Sequence, residues 1–228
     1  MRQPDELPEI DALLRSNSVT HWGVANNDPP LPLAPRLPRA ISLLVSLDPA
    51  ALGGVENGPT EAYFADYQRL NTTLNAAAAA LVRHLEHCGH RAVAVEATLE
   101  EYGVEDWGEA GVFAHKTAAT QAGIGWIGKT ALFVSPLLGP KLRLATVFTD
   151  LDLPPGTPLT VGRCARCRAC VDSCPAGAGR DVQWRAGMAR DLLYDEKACE
   201  RHLDNFPELG GVCGVCVAVC PSGRPQRS

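Results

Sequence analysis

The cysteine pattern in the last third of this 228-residue chain constrains its fold more than any other feature. Nine cysteines are present, and Cys88 stands apart from the others. Seven of the remaining eight form two related runs, each closed by Cys-Pro: Cys164, Cys167, Cys170 and Cys174, then Cys213, Cys216 and Cys220. The eighth, Cys199, lies between the two runs. The N-terminus has no apolar signal core, so we expect a cytoplasmic, reducing location. Thiols there bind metal or carry electrons rather than form disulfides.

The first run has the spacing C-x2-C-x2-C-x3-C-P of bacterial ferredoxins, in which the fourth cysteine reaches a second cluster. The second run is a shortened copy, so the same crossing makes its last cysteine a ligand of the first cluster. We therefore predict that one [4Fe-4S] cluster is held by Cys164, Cys167, Cys170 and Cys220. Cys199 supplies the eighth thiolate, and the second cluster is held by Cys174, Cys199, Cys213 and Cys216. Such clusters move single electrons.

Zinc is the main alternative for these cysteines, because tetrahedral zinc sites accept four thiolates. Zinc does not account for the third cysteine at the same short spacing, nor for the two Cys-Pro endings. Cys88 lies on the apolar stripe of a predicted helix, so we interpret it as a small buried apolar residue rather than a ligand.

Composition divides the chain into two unlike parts. With 46% hydrophobic and 21% charged residues, it is typical of a globular protein. The net charge of −5 does not favour binding to nucleic acid or to an anionic membrane. Residues up to 162 are acidic overall, whereas the remainder has a slight excess of Lys and Arg. We predict an N-terminal segment with a Pro-rich connector at 1–38, an α/β (α+β) domain at 39–158 and a bacterial-ferredoxin-like double [4Fe-4S] domain at 159–228.

Hydrophobic periodicity predicts the elements of the middle part. An apolar strand at 40–47, a long helix after the N-cap residue Thr60 and a strand at 92–97 indicate a right-handed βαβ crossover. A solvated acidic loop at 96–111 follows. The remaining predicted elements are a short helix at 115–122 and strands at 131–135 and 142–149.

A glycine-rich stretch at 123–130 matches the phosphate-loop pattern G-x-x-x-x-G-K-[ST]. That motif needs a strand before it and a helix after it, and here the predicted order is reversed. We therefore expect a tight turn rather than a nucleotide site, with Trp126 and Lys129 exposed beside whatever binds there. The candidate cofactor-binding residues are Gly123, Gly125, Trp126, Gly128 and Lys129.

Three features together resemble the epoxyqueuosine reductase superfamily. They are the block AGIGWIGK at 122–129, the run FTDL at 148–151 and the crossed cysteine set. The chain is most similar to the short branch of double-cluster 4Fe-4S proteins, over roughly residues 38–225. The stretches FAHKTAA at 113–119 and PTEAYF at 59–64 are also typical of that branch.

The resemblance implies an α/β domain related to flavin- and corrinoid-handling reductases. In epoxyqueuosine reductase that domain holds cobalamin beside one cluster, an epoxide on a modified tRNA base is reduced, and a carboxylic acid donates a proton. The turn at 123–129 would lie near the corrinoid. The matching stretch here, 112–116, has no carboxylate. His115 and Lys116 are therefore the catalytic candidates for proton donation, and a structural helix start is their alternative.

Three functions follow from these observations. The first is a cytoplasmic redox protein that passes electrons from two clusters to a cofactor or substrate of the N-terminal domain. The second is a corrinoid-dependent reductase of epoxyqueuosine or another small electrophile. The third is an electron carrier with no substrate of its own. The expected partners are an electron-donor protein or reductant and a small-molecule substrate, with no nucleic acid and no membrane.

Overall fold

The computed structural model describes residues 6–28, 34, 36–98 and 115–223. The chain divides into two compact units, and each unit is assembled from three separate stretches. The first unit takes residues 1–45, 70–124 and 143–158, and the second takes residues 46–69, 125–142 and 159–228. The domain limits predicted from the sequence at residues 38 and 158 stay predictions.

A four-stranded sheet forms the centre of the first unit. Its strands are β1 (His21–Asn26), β2 (Arg39–Ser46), β3 (Ala92–Val95) and β6 (Leu142–Thr149). The strand order is β1-β2-β6-β3, with β1 antiparallel to β2 and β3 antiparallel to β6. The central strands β2 and β6 are buried over most of their length, which explains their nearly continuous apolar sequences.

Three helices precede or separate these strands in the sequence: α1 (Glu6–Ser16), α2 (Glu61–His87) and α3 (His115–Gln121). The long helix α2 begins at the predicted cap, because the Thr60 hydroxyl oxygen accepts a hydrogen bond from the Tyr63 amide at 3.2 Å. One face of α2 is buried in the hydrophobic core. This face includes Leu70, Leu74, Leu81 and Leu85.

The second unit contains little regular structure. Strands β4 (Trp126–Ile127) and β5 (Phe133–Val134) form a short antiparallel pair. Helices α4 (Ala169–Asp172), α5 (Glu196–Leu203) and α6 (Val215–Ala218) are short. The Asp195 carboxylate caps α5 by accepting from the Ala198 amide at 2.9 Å. Much of this unit is therefore loop that a thiolate-bound group could order.

The predicted mixed α/β class, the strand before α2 and α2 itself are confirmed. β6 lies between β2 and β3, so α2 connects two strands that are not neighbours in the sheet. The predicted acidic loop at 96–111 falls mainly outside the described residues.

Two elements in the first 38 residues were not predicted, namely α1 and β1. The spacing of Leu7, Ile10 and Leu14 is helical and signals α1, and the last two of these side chains are fully buried. Cys88 was predicted to be buried, and that prediction is wrong. The residue is exposed just beyond the end of α2.

Candidate metal centre

The eight clustered cysteines all lie in the second unit, on and around its three short helices. Cys164 and Cys167 precede α4, Cys170 lies within it and Cys174 follows it. Cys199 lies in α5, Cys216 lies in α6, and Cys213 and Cys220 flank α6. All eight are free thiols, and seven of them are half-buried whereas Cys167 is exposed.

Charge interactions join four of these thiols into one neighbourhood. Burial raises the pKa of Cys170, and the neighbouring sulfurs of Cys220, Cys164 and Cys167 raise it further. Burial also raises the pKa of Cys220, again with Cys164 and Cys167 adding to the shift. The last cysteine of the second run therefore lies beside the first three of the first run, as the crossed arrangement requires.

The other four thiols form a second neighbourhood. Burial raises the pKa of Cys213, and the sulfurs of Cys199 and Cys174 add to the increase. Burial also raises the pKa of Cys216 to about 12, with further contributions from Cys213, Cys170, Cys174 and Cys199. Cys170 belongs to the first neighbourhood, yet its sulfur also raises the pKa of Cys216 in the second. The two neighbourhoods therefore adjoin one another.

Hydrogen bonds to sulfur favour the thiolate form at several of these cysteines. The Ala178 amide donates to Cys174 Sγ at 3.4 Å. The amides of Val215 and Ser222 donate to Cys213 and Cys220, respectively. The side chains of Thr130 and Tyr194 likewise lower the pKa of Cys170 and Cys199, respectively, against the larger opposite effect of burial. Amide and hydroxyl donors of this kind stabilise the negative charge of ligand sulfurs.

The glycine-rich turn lies within reach of the first neighbourhood. At Gly125 a Cβ atom would lie 2.3 Å from Phe133 Cζ and 2.4 Å from the Val134 carbonyl oxygen, so only glycine fits. At Gly128 a Cβ atom would lie 3.7 Å from Cys164 Sγ. Gly123 belongs to the first unit, where a Cβ atom would lie 2.3 Å from the Thr157 carbonyl oxygen. Close backbone approach explains these glycines without a nucleotide.

The expected order of elements around this turn is confirmed, since α3 precedes it and β5 follows it. The expected exposure of Lys129 is wrong, because this residue is only 5% exposed. Its Nζ atom lies 2.7 Å from Asp181 Oδ1, and the Arg168 guanidinium pairs with the same carboxylate. The hydrogen bond from Lys129 is the largest cause that lowers the pKa of Asp181. The lysine therefore ties the turn to the cysteine-rich loop.

Trp126 is also buried rather than exposed, with 6% of its surface accessible. It packs with Val134, Trp184 and Leu193 in an apolar cluster that Cys164 contacts. Within the described part of the chain, its indole Nε1 is buried and has no hydrogen-bond partner. Unpaired buried donors are rare, so this N–H is available to an acceptor outside the described residues.

His115 lies at the start of α3, and both of its ring nitrogens are occupied. Nε2 lies 2.8 Å from the Glu96 carbonyl oxygen, which only accepts, so Nε2 carries the proton. Nδ1 lies 2.9 Å from the Thr146 hydroxyl and accepts from it. Burial lowers the pKa of His115 to about 4. This placement favours the structural alternative for His115, and the catalytic role of His115 and Lys116 stays a prediction.

Sequence reasoning missed the residues that support the cysteines. Thr130 was noted only as the end of a rejected phosphate motif, and Tyr194 and Asp181 carried no signal. Lys141 was missed as well, although its Nζ atom donates to the carbonyl oxygens of Cys220 and Ser222 at 3.0 Å each. Lysine and hydroxyl residues have no diagnostic spacing, so only tertiary structure reveals these roles.

Comparisons with known proteins match this geometry. The 4Fe-4S dicluster domain family matches residues 163–224. The tetrachloroethene reductive dehalogenase of Sulfurospirillum multivorans is 36% identical over 115 residues, which are 45% of this chain and 22% of the relative. The epoxyqueuosine reductase of Pseudomonas aeruginosa is 30% identical over 138 residues, 58% of this chain and 38% of the relative. A solved catabolic reductive dehalogenase superposes with a TM-score of 0.76 at 18% identity, over 95% of this chain and 32% of that one.

The C-terminal part is thus a dicluster module, and the chain is an iron–sulfur protein with a redox role. The relatives confirm the predicted resemblance to the epoxyqueuosine reductase superfamily. The chain spans well under half of the two curated relatives described above. Among the described residues, no helix is long and apolar enough to cross a membrane.

Proposed function

We propose that this protein carries electrons through two adjacent [4Fe-4S] clusters to a cofactor or substrate of its N-terminal part. The first cluster is bound by Cys164, Cys167, Cys170 and Cys220, and the second by Cys174, Cys199, Cys213 and Cys216. The observation that carries the proposal is the division of eight thiols into two neighbourhoods with this same membership. The proposed setting is the cytoplasm, and the proposed partner is an electron donor.

The residues present fit two clusters chemically. Each neighbourhood offers four sulfurs and donors to them, and Trp126, whose buried N–H has no partner among the described residues, belongs to an apolar cluster that Cys164 contacts. The interaction of Cys216 with Cys170 supports close approach of the two centres. Among the described residues, no three His, Cys, Asp or Glu side chains are arranged to hold a single metal ion.

Anaerobic purification followed by iron, sulfide and zinc assays tests this proposal. We expect about eight iron atoms and about eight sulfides per chain, as two [4Fe-4S] clusters require. Cys216→Ser removes one ligand of the second cluster and should lower both contents by up to half. Cys88→Ser is the matched control, because Cys88 is exposed and outside the cysteine module, and it should leave both contents unchanged. Colourless protein that contains zinc would contradict the proposal.

A corrinoid is the second candidate, as a cofactor of the N-terminal part. It is supported by the relatives, since one solved dehalogenase at 18% identity and a TM-score of 0.75 is described as B12-dependent. A corrinoid would supply a cobalt centre able to reduce an organohalide or an epoxide. The candidate cofactor residues in the 123–129 turn stay predictions. Reconstituted protein should retain added cobalamin on gel filtration with a changed visible spectrum, and elution of free cobalamin would contradict this candidate.

A further inference from the structure

We propose that an arginine-rich surface around Cys167 is the docking site for a small acidic electron-donor protein. This basic surface consists of Val161, Arg163, Arg166, Cys167 and Arg185, and all five residues are exposed. Cys167 is the one exposed thiol among the eight clustered cysteines. The docking site rests on the proposed function, because Cys167 gives a partner access to electrons only if it is a ligand of the first cluster.

Two separate stretches of the second unit meet at the basic surface. Val161 and Arg185 form an antiparallel bridge, so their side chains belong to the same small patch. The Gly162 amide donates to the Trp184 carbonyl oxygen at 2.8 Å and strengthens this pairing. Trp184 is buried, whereas 43% of the Val161 surface is exposed. The pairing therefore holds one apolar and one positively charged side chain together at the surface.

A tight turn places the other two arginines beside this pair. The Cys167 amide donates to the Cys164 carbonyl oxygen at 3.0 Å, so the chain folds back on itself and Arg166 lies within the turn. Arg163 precedes the turn, and its guanidinium carbon lies 6.0 Å from the centre of the buried Trp126 ring. The basic surface is thus anchored to the interior of its own unit.

The positive charge of the basic surface is not neutralised within the described part of the chain. Neither 160–168 nor 182–190 contains Asp or Glu, although the two stretches hold five arginines. Two of these arginines are already paired with carboxylates from other stretches. The other three, Arg163, Arg166 and Arg185, form no ion pair with a described carboxylate. Three exposed guanidinium groups are therefore available to carboxylates of a partner.

Charge complementarity indicates the kind of partner. The whole chain has a net charge of −5, so an acidic protein is repelled by most of the molecule and attracted to this patch. Such an arrangement orients the encounter and raises its rate. Redox complexes of this kind are transient and use small interfaces, for which a few arginines and one apolar side chain suffice. Nucleic acid is less favoured, because it needs a more extended basic face.

The position of the patch indicates what the partner does. Transfer of an electron requires close approach of two redox centres, and Cys167 offers the most exposed ligand of the first cluster. In each encounter the reduced donor loses one electron and the first cluster gains it. No bond is formed or broken between the two proteins, so the oxidised donor can leave and be replaced.

Binding and reduction of the double-cluster protein by an acidic plant-type ferredoxin test the docking site. Wild-type protein should be retained at low salt on a column of immobilised ferredoxin, and the Arg166→Glu, Arg185→Glu double variant should elute earlier. Rapid-freeze electron paramagnetic resonance should show that reduced ferredoxin reduces the double variant about tenfold more slowly than wild type. This difference should shrink as salt is added, because salt screens the interaction. Arg166→Lys with Arg185→Lys keeps both charges and should restore binding.

Arg36→Glu with Arg83→Glu is the matched control, because both residues are exposed, belong to the first unit and give the same change in net charge. It should bind and accept electrons like wild type. Methyl viologen radical, a small cationic reductant, should reduce all of these proteins at least as fast as wild type.

Four results would overturn the docking site and leave the proposed function standing. They are failure of ferredoxin to retain wild type, an equal loss in the control, slower reduction of the double variant by methyl viologen as well, and tRNA binding that the double variant loses. Wild-type protein without clusters would overturn both proposals.

Discussion

His115 shows how a single side chain can match a catalytic expectation and still serve the fold. Its proton is committed to the Glu96 carbonyl oxygen, and its other nitrogen accepts from Thr146 of strand β6. The imidazole therefore joins the start of α3 to the sheet. Burial keeps it neutral, with a pKa of about 4. A neutral histidine whose N–H is already bonded is poorly prepared to protonate a substrate near pH 7.

The lowered pKa of His115 predicts a pH-dependent contribution to stability. The unfolded histidine titrates near pH 6.5, whereas the folded one stays neutral down to about pH 4. The contribution of His115 to the unfolding free energy is therefore fully present above pH 6.5. It is lost as the pH falls toward 4, because the unfolded state binds the proton first. Between pH 7.5 and 5.5, wild type should lose about 1 kcal/mol more unfolding free energy than His115→Gln.

Anaerobic denaturant titrations of the two proteins at both pH values measure this difference, and all other titrating groups cancel in the comparison. Equal pH dependence in wild type and His115→Gln would show that the folded histidine titrates normally.

At the scale of elements, the turn between α3 and β5 shows how a sequence motif can mislead. Its GxxxxGKT sequence matches a phosphate loop, yet the lysine pairs with Asp181 and the threonine lowers the pKa of Cys170. Gly125 allows the backbone to pass against β5, and Gly128 allows it to approach Cys164. The letters are shared with nucleotide-binding proteins because both uses need close backbone approach and a cation.

Gly125→Ala should disrupt this turn, because the added methyl group would lie 2.3 Å from Phe133 Cζ and 2.4 Å from a β5 carbonyl oxygen. Overpacking of this kind costs about 1–3 kcal/mol. We expect a lower unfolding free energy, measured by anaerobic denaturant titration, together with reduced iron content. Gly53→Ala is the control, since its methyl group would lie 3.4 Å from the nearest atom, the Ala50 carbonyl oxygen. A loss of stability that is equal in the two variants would contradict the steric explanation.

For the molecule as a whole, the sequence predicts chemistry better than architecture. Thiolate ligation of a cluster imposes short, regular spacings, so the dicluster class follows from the letters alone. Strand β2 and helix α2 follow equally well, because burial leaves clear periodic patterns. The pairing of Lys129 with Asp181 joins residues 52 positions apart and has no local signature. The central position of β6 in the sheet likewise depends on tertiary packing.

The three-stretch construction of the second unit has a consequence for how the protein is made. Tyr63 and Phe64 belong to its earliest stretch, yet they lie against Gly214 and Gly210 of its latest one. On the ribosome, the early residues emerge long before the final cysteines that complete both thiol sets. The second set is complete only once Cys216 is translated and the first only once Cys220 is translated, so full ligation of the proposed clusters must follow synthesis of the glycines that Tyr63 and Phe64 contact.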